Sequence, residues 1–298
     1  MRRGRERGRQ RRCDERAREK RAYSQEQARR ARLAGMPPTF TPLLGLALGL
    51  AMACTTAPRA RVPEPVPDKL VVLTFDDAVR SHYTTVAPLL ERYGFGATFF
   101  VTEFPQPPFS DTTLYMTWAQ IGELSRRGFE VANHTWKHTH VTRMDRARFV
   151  AELRYVEDKL RSLGAPHPVS FAYPAYVYND DAVRTLRERG YTFARTGGDR
   201  AYDPVRDDPM LVPSWTTREN NRDTILRALT EARGGRIVVL TIHGVPDTAH
   251  PWVTIPVALF EDYLRALRDG GYRVVALRDV ARHLPPERRP AAPHAVPR

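Results

Sequence analysis

The stretch Val71-Val72-Leu73-Thr74-Phe75-Asp76-Asp77 drives two adjacent carboxylates to the end of an apolar run, and the rest of the chain is read outward from it. β-Branched and large apolar residues ending in a polar pair predict a buried parallel strand that delivers chemistry at its carboxyl end. Side chains alternate along an extended chain, so Asp76 and Asp77 are expected to point apart and need not share one role.

Downstream the pattern alternates strand and helix. A helix is predicted over 82–93, ending at Gly94, then a strand over 97–101 and a helix capped by Thr117 that stops before Gly128. Strands follow at 129–132, 170–173, 192–194, 237–241 and 273–276, with helices at 145–163, 180–189, 221–232 and 257–269. No Gly/Pro/Ser-rich break divides residues 68–285. Repeated βα units with short turns argue for one α/β domain whose parallel sheet is closed or nearly closed into a barrel.

The formal net charge of +13 is unevenly spread. Residues 1–35 hold 14 Lys/Arg against 5 Asp/Glu, which leaves only +4 for the other 263. The folded part is therefore nearly balanced, and no nucleic-acid partner is expected for it. Residues 1–54 combine this basic leader with the apolar run Leu43–Ala53, too short for a comfortable membrane span and laid out like a secretory signal. The segment Leu50-Ala51-Met52-Ala53-Cys54 resembles a bacterial lipoprotein processing site, although Ala51 stands where a Leu is usual. Export to the cell envelope or beyond is expected, with Cys54 as a candidate lipid anchor to the membrane. Residues 55–67, with Pro63, Pro65 and Pro67, read as an extended linker, and residues 286–298 as an unstructured tail. Cys13 and Cys54 are the only cysteines and both precede the first strand, so a metal in the folded domain must be held by Asp, Glu or His.

Two further strand ends carry imidazoles. His134-Thr135-Trp136-Lys137-His138 follows the third strand, and on a helical turn its spacing of four would bring both rings to one side. Val238-Val239-Leu240-Thr241-Ile242 finishes in His243. In parallel α/β folds the carboxyl ends of the strands share one face, so these groups are expected to be neighbours. Together they describe a mononuclear Asp-His-His cation site, with one carboxylate and one imidazole left over as an acid/base pair.

Thr74-Phe75-Asp76-Asp77, His134-Thr135-x-x-His138 and Leu240-x-x-His243 resemble, in order and spacing, the motifs of polysaccharide deacetylases of the NodB homology type, carbohydrate esterase family 4. The resemblance implies a distorted (β/α)7 barrel over residues 68–285. It also implies hydrolysis of acetyl groups from an N-acetylated or O-acetylated glycan with a divalent metal, usually Zn2+, with Co2+, Ni2+ or Mn2+ as alternatives. Carried over by position, Asp77, His134 and His138 would bind the metal, Asp76 would be the catalytic base and His243 the general acid. The family's third motif commonly reads Arg-x-Pro; here Phe171-Ala172-Tyr173-Pro174-Ala175-Tyr176 puts Ala172 at the Arg position. Arg195, at the end of the next strand, is the candidate replacement for orienting the base. Tyr173, Pro174, Tyr176, Trp215 and Trp252 are candidate substrate contacts, since amphipathic rings suit the apolar faces of sugars. The missing Arg also motivates a different reading, a glycan-binding protein on a degenerate deacetylase scaffold, and a third is hydrolysis of a small non-sugar amide.

Overall fold

A computed structural model describes residues 63–288; the basic leader, Cys54 and most of the linker and tail lie outside the described residues. The strand β1 (Leu70–Phe75) lies inside a curled sheet with every residue buried. Period-two alternation splits it. Val71, Leu73 and Phe75 join a core shared with the helices, while Leu70 and Val72 join a second core with Phe100, Ala132, Ala172, Phe193 and Val239 inside the curl.

The sheet runs in the order β5 (Phe193–Arg195), β4 (Ser170–Ala172), β3 (Glu130–Asn133), β2 (Thr98–Val101), β1, β7 (Val238–Ile242), β6 (Trp215–Thr216), and all neighbours are parallel. Among the described residues its two edges share one bridge, that of Val212, just before the chain enters β6, to Arg195. The Thr196 N–H donates to Val212 O at 2.8 Å and the Val212 N–H to Ala194 O at 2.9 Å. This single point of closure is the distortion in a (β/α)7 barrel.

Seven staves are present, but they are not the seven predicted from the sequence. The two-residue β6 is one of them, too short between its flanking turns to give a periodic signal. β8 (Arg273–Val275), predicted as a stave, instead pairs with the first half of β1, Leu70–Val72, on the edge that β2 takes further along at Thr74–Phe75. The linker and tail boundaries also move. The Glu64 N–H donates to Arg282 O at 3.0 Å, and the turn Pro286–Arg288 is tied down by the Arg288 guanidinium, which donates to Asp207 O.

Helices α1 (Ala87–Tyr93), α2 (Trp118–Arg126), α3 (Arg146–Ser162), α4 (Asp180–Glu188), α5 (Arg222–Leu229) and α6 (Val257–Asp269) connect the strands. Thr117 and Gln120 form a reciprocal capping box at α2, and Asp145 caps α3. Among the described residues no helix is long and apolar enough to cross a membrane.

Gly96, at the entry to β2, lets β8 approach. Its N–H donates to Val274 O at 3.2 Å, and a Cβ there would lie 3.0 Å from Ala276 N and 3.1 Å from Val275 Cα, both backbone atoms. Gly96→Ala should therefore lose about 1–3 kcal/mol of stability by overpacking. Urea unfolding measures it, and an unchanged midpoint would show that β8 yields freely.

Candidate active site

The alternation that fills the barrel also aims its chemistry. Val72, Ala132, Phe193 and Val239 occupy the inner core, so the residues in phase with them at the strand ends, Asp76, His134, Arg195 and His243, fall on the same inward register. Asp77 is out of phase. It reaches the cleft because the chain turns into left-handed backbone at Asp77 (φ 77°) and Ala78 (φ 52°), and both carboxylates line one cavity. The expectation that they point apart fails here, because the strand ends at Phe75 and alternation ends with it.

His134 and His138 do not lie on a helical turn. They sit in a loop whose Thr135 (φ 64°) and His138 (φ 53°) are left-handed, a conformation costing about 1–2 kcal/mol per residue with a Cβ. Side chains hold the loop open: the Thr135 N–H donates to Asn133 Oδ1 and the Lys137 N–H to the buried Glu152 Oε2, each at 2.9 Å. The His134 ring pairs at Nδ1 with Ala172 O, 2.8 Å away, so Nδ1 carries the proton and Nε2 is left facing Asp77. Asp77 Oδ1 is 3.5 Å from both His134 Nε2 and His138 Nε2.

The donor atoms of Asp77, His134 and His138 all lie within 4.8 Å of one another, and Asp77 Oδ1 is buried without a hydrogen-bond partner. A hard carboxylate oxygen and two imidazoles converging on an unsatisfied buried atom fit a divalent cation. Burial alone would raise the Asp77 carboxyl; the His134 ring beside it and the His138 and His243 imidazoles outweigh that and hold it well below the usual carboxylate range. Burial pushes His138 down to about 4, which keeps its ring neutral.

Asp76 has a different environment. The Arg195 guanidinium, 0% exposed, donates from Nη2 to Asp76 Oδ2 at 2.5 Å and from Nη1 to Thr241 Oγ1 at 2.8 Å. It lies 5.5 Å from the Phe100 ring centre and 5.2 Å from that of Tyr176. Arg195 is also the register partner of Ala172, so a cation stands beside Asp76 from one strand over while Ala172 contributes only its carbonyl to His134.

His243 Nε2 lies 3.9 Å from Asp77 Oδ2, and its Nδ1 is buried without a partner. Its backbone is tied to the segment after β1, since His82 Nε2 pairs with His243 O at 2.8 Å and the Val245 N–H donates to Ser81 Oγ at 2.8 Å. A further imidazole went unread in the sequence. His250 Nδ1 approaches Asp77 Oδ2 at 3.9 Å and Asp247 Oδ2 at 3.4 Å. No strand end or spacing marks His250; the fold of the loop after β7 brings it in.

The cleft of about 300 Å³ is walled by Tyr173, Tyr176 and Trp252, with Arg218 at the same surface. Trp252 is 74% exposed, a ring available at the rim. Trp215 does not line the cleft: it is 4% exposed, its side chain part of the core shared with the helices because it is out of phase with the inward register of β6. Pro174 is likewise buried and outside the lining.

A parallel barrel with a carboxylate–imidazole cluster and a paired second carboxylate at one end defines a metal-competent site. Residues 64–194 match the family model of the polysaccharide deacetylases. A poly-β-1,6-N-acetyl-D-glucosamine N-deacetylase of Escherichia coli strain K12 is 29% identical over 167 residues, covering 43% of this chain and 25% of that protein. A chitin deacetylase of Pestalotiopsis is 25% identical over 195 residues, 62% of this chain and 61% of that one. The chain thus spans less than two thirds of either relative. Among solved structures, the esterase domain of a multidomain xylanase from the Trinervitermes trinervoides hindgut metagenome superposes with TM-score 0.51 at 22% identity, over 72% of this chain and 90% of that one. Bacillus subtilis PdaA, a family 4 carbohydrate esterase, gives 0.50 at 19%, over 73% and 82%. The fold is that of these esterases.

His82 supplies a pH signature. Burial among Phe75 and Phe99 pushes its imidazole down to about 4 from 6.5. Between those values the unfolded chain binds the proton and the folded one does not, so stability should fall as pH drops from 6.5 to 4, by up to about 3 kcal/mol from this group. Thermal unfolding of metal-free protein against pH, for wild type and His82→Gln, should show a shallower acid decline in the variant. Parallel curves would assign the decline elsewhere.

Proposed function

We propose that this chain is a metal-dependent hydrolase that removes acetyl groups from an N-acetylated polysaccharide or oligosaccharide. The observation that carries the reading is the convergence of Asp77, His134 and His138 beside a second carboxylate, Asp76, that has its own buried cation. A divalent cation held by those three residues, zinc being the best match to the donor set, would supply Lewis acidity toward the acetyl carbonyl and lower the pKa of water at the site.

The chain's own groups divide the remaining work. Asp76 Oδ2 is occupied by Arg195 while Oδ1 has no protein partner, which suits it to take the proton of the attacking water. Arg195 keeps that carboxylate fixed. His243, on the other side of Asp77, is placed to give a proton to the departing sugar amine. Tyr176 and Trp252 offer rings to the sugar faces. The presence of Arg195 beside Asp76 weakens the reading of a binding-only scaffold, since nothing in glycan binding calls for a buried, paired carboxylate next to a cation site. The exposed Trp252 at the rim favours an extended substrate over a small amide.

Acetate release from N-acetylglucosamine oligosaccharides, peptidoglycan and acetylxylan, with and without chelator, tests the activity. Asp76→Asn should keep its metal yet lose about 10²–10⁴ in kcat, the worth of a positioned proton acceptor. The His134→Ala, His138→Ala double variant should lose the metal itself by elemental analysis. Full turnover in Asp76→Asn, or full metal content in the double variant, would sink the respective assignment.

We further propose that the protein acts at the cell envelope, on the strength of the Arg-flanked apolar run at 43–53. Fractionation of the producing cells should find it in the membrane or outside the cytoplasm; full-length chain recovered soluble in the cytoplasm would overturn this.

A further inference from the structure

Between the two ligand histidines the chain carries Trp136, and what holds Trp136 converges on a single carboxylate that does not line the cleft. Glu103, half-buried just beyond β2, binds this residue twice. Its backbone N–H donates to Trp136 O at 2.6 Å, and its Oε2 accepts from Trp136 Nε1 at 2.7 Å. Thr102 Oγ1 donates to the same carbonyl at 3.1 Å. The Trp118 indole donates to Glu103 Oε1 at 2.7 Å, and the Tyr155 hydroxyl lies 2.9 and 3.0 Å from its two oxygens.

No Lys or Arg pairs with Glu103 among the described residues; its charge is met by two indole N–H groups and a phenol, bonds strengthened by that charge. The Trp136 ring stacks on Tyr155 with centroids 4.2 Å apart and an 18° tilt, and Lys137 Nζ sits 4.2 Å from the Trp136 centroid. The clamp fixes main chain and side chain of one loop residue at once.

That residue lies between two left-handed positions, Thr135 and His138. A loop in such a conformation relaxes unless its surroundings hold it. His134 is also secured by its own bond to Ala172 O. His138 has no hydrogen bond of that kind among the described residues; its ring lies beside Asp77, His134 and Phe104, and its place rests on the loop. We propose that Glu103 is the positioning residue that preorganises the histidine loop for the cation, acting through Trp136. The proposal rests on the reading of His134 and His138 as metal ligands.

The test is the affinity of the metal-free full chain for Zn2+ or Co2+, measured by competition with a chromophoric chelator, alongside Tm. Glu103→Gln, which places an amide against three donors, and Trp136→Phe, which keeps the stack but loses the indole bond, should each weaken binding about 10- to 100-fold, the usual effect of disturbing what holds a ligand. Trp118→Phe removes a bond to the same carboxylate from outside the loop, so it should lower Tm yet leave affinity within about twofold of wild type. Wild-type affinity in Glu103→Gln and Trp136→Phe overturns the proposal, and so does an equal loss in Trp118→Phe, which would mean general loosening. If Glu103→Gln does not fold, the contrast between Trp136→Phe and Trp118→Phe decides alone. A wild type that binds no metal overturns the ligand assignment, and this proposal with it.

Discussion

A guanidinium with no exposure at all must have its charge met inside the protein, and the end of this barrel is built around meeting it. Removing Arg195 from water costs several kcal/mol, offset by its pairing with Asp76 and by Nη1 donating to Thr241, while Nε is buried without a partner among the described residues. Thr241 accepts from Arg195, Ser214 shares its hydroxyl with Thr241 at 2.8 Å, and Ser214 Oγ donates to Thr196 O at 2.7 Å. This chain of polar contacts runs across the gap where the sheet edges are bridged at Val212. The ion pair that sets Asp76 in the cleft thus adds side-chain bonds at the place where the backbone closes the barrel.

The site is strained as well as charged. Of the eight described non-glycine residues with positive φ, six fall on its loops: Asp77, Ala78, Thr135, His138, Ala175 and Tyr176. At about 1–2 kcal/mol each, this is a large fraction of a domain's net stability, and it persists because the surrounding structure holds these positions in place. Asp77 and His138 themselves carry the strain, so their convergence is imposed by the fold and is not a resting preference of the segments.

What could be read in advance follows from this division. Long apolar runs with period-two or helical spacing gave most elements to within a few residues, and the strand ends gave Asp76, His134 and His243, because phase along a strand is a local property. The short β6 and the demotion of β8 were illegible, since two residues carry no period and pairing is decided by distant partners. The same limit applies to His250, carried in by a loop, and to Trp215, whose aromatic type suggested a wall but whose phase put it outside the barrel's interior. The shared cleft of Asp76 and Asp77 depends on a left-handed turn at non-glycine residues, which propensity argues against. Arg195 was legible only because Ala172 stood where a cation was wanted and the neighbouring strand ended in one.

The position of β8 has a consequence for how the chain comes to be folded. β1, which delivers both carboxylates, is bordered by β2 on one edge, but its other edge waits for β7 and its first half for β8, about 170 and 200 residues later. Pairings this far apart in sequence are slow to form and leave apolar strand edges open meanwhile. As the chain emerges from the ribosome, the edge of Val71–Phe75 that faces β7, and the stretch Leu70–Val72 that faces β8, therefore stay open until those strands have been made. The strand that founds the site is thus made before most of the strands that complete it.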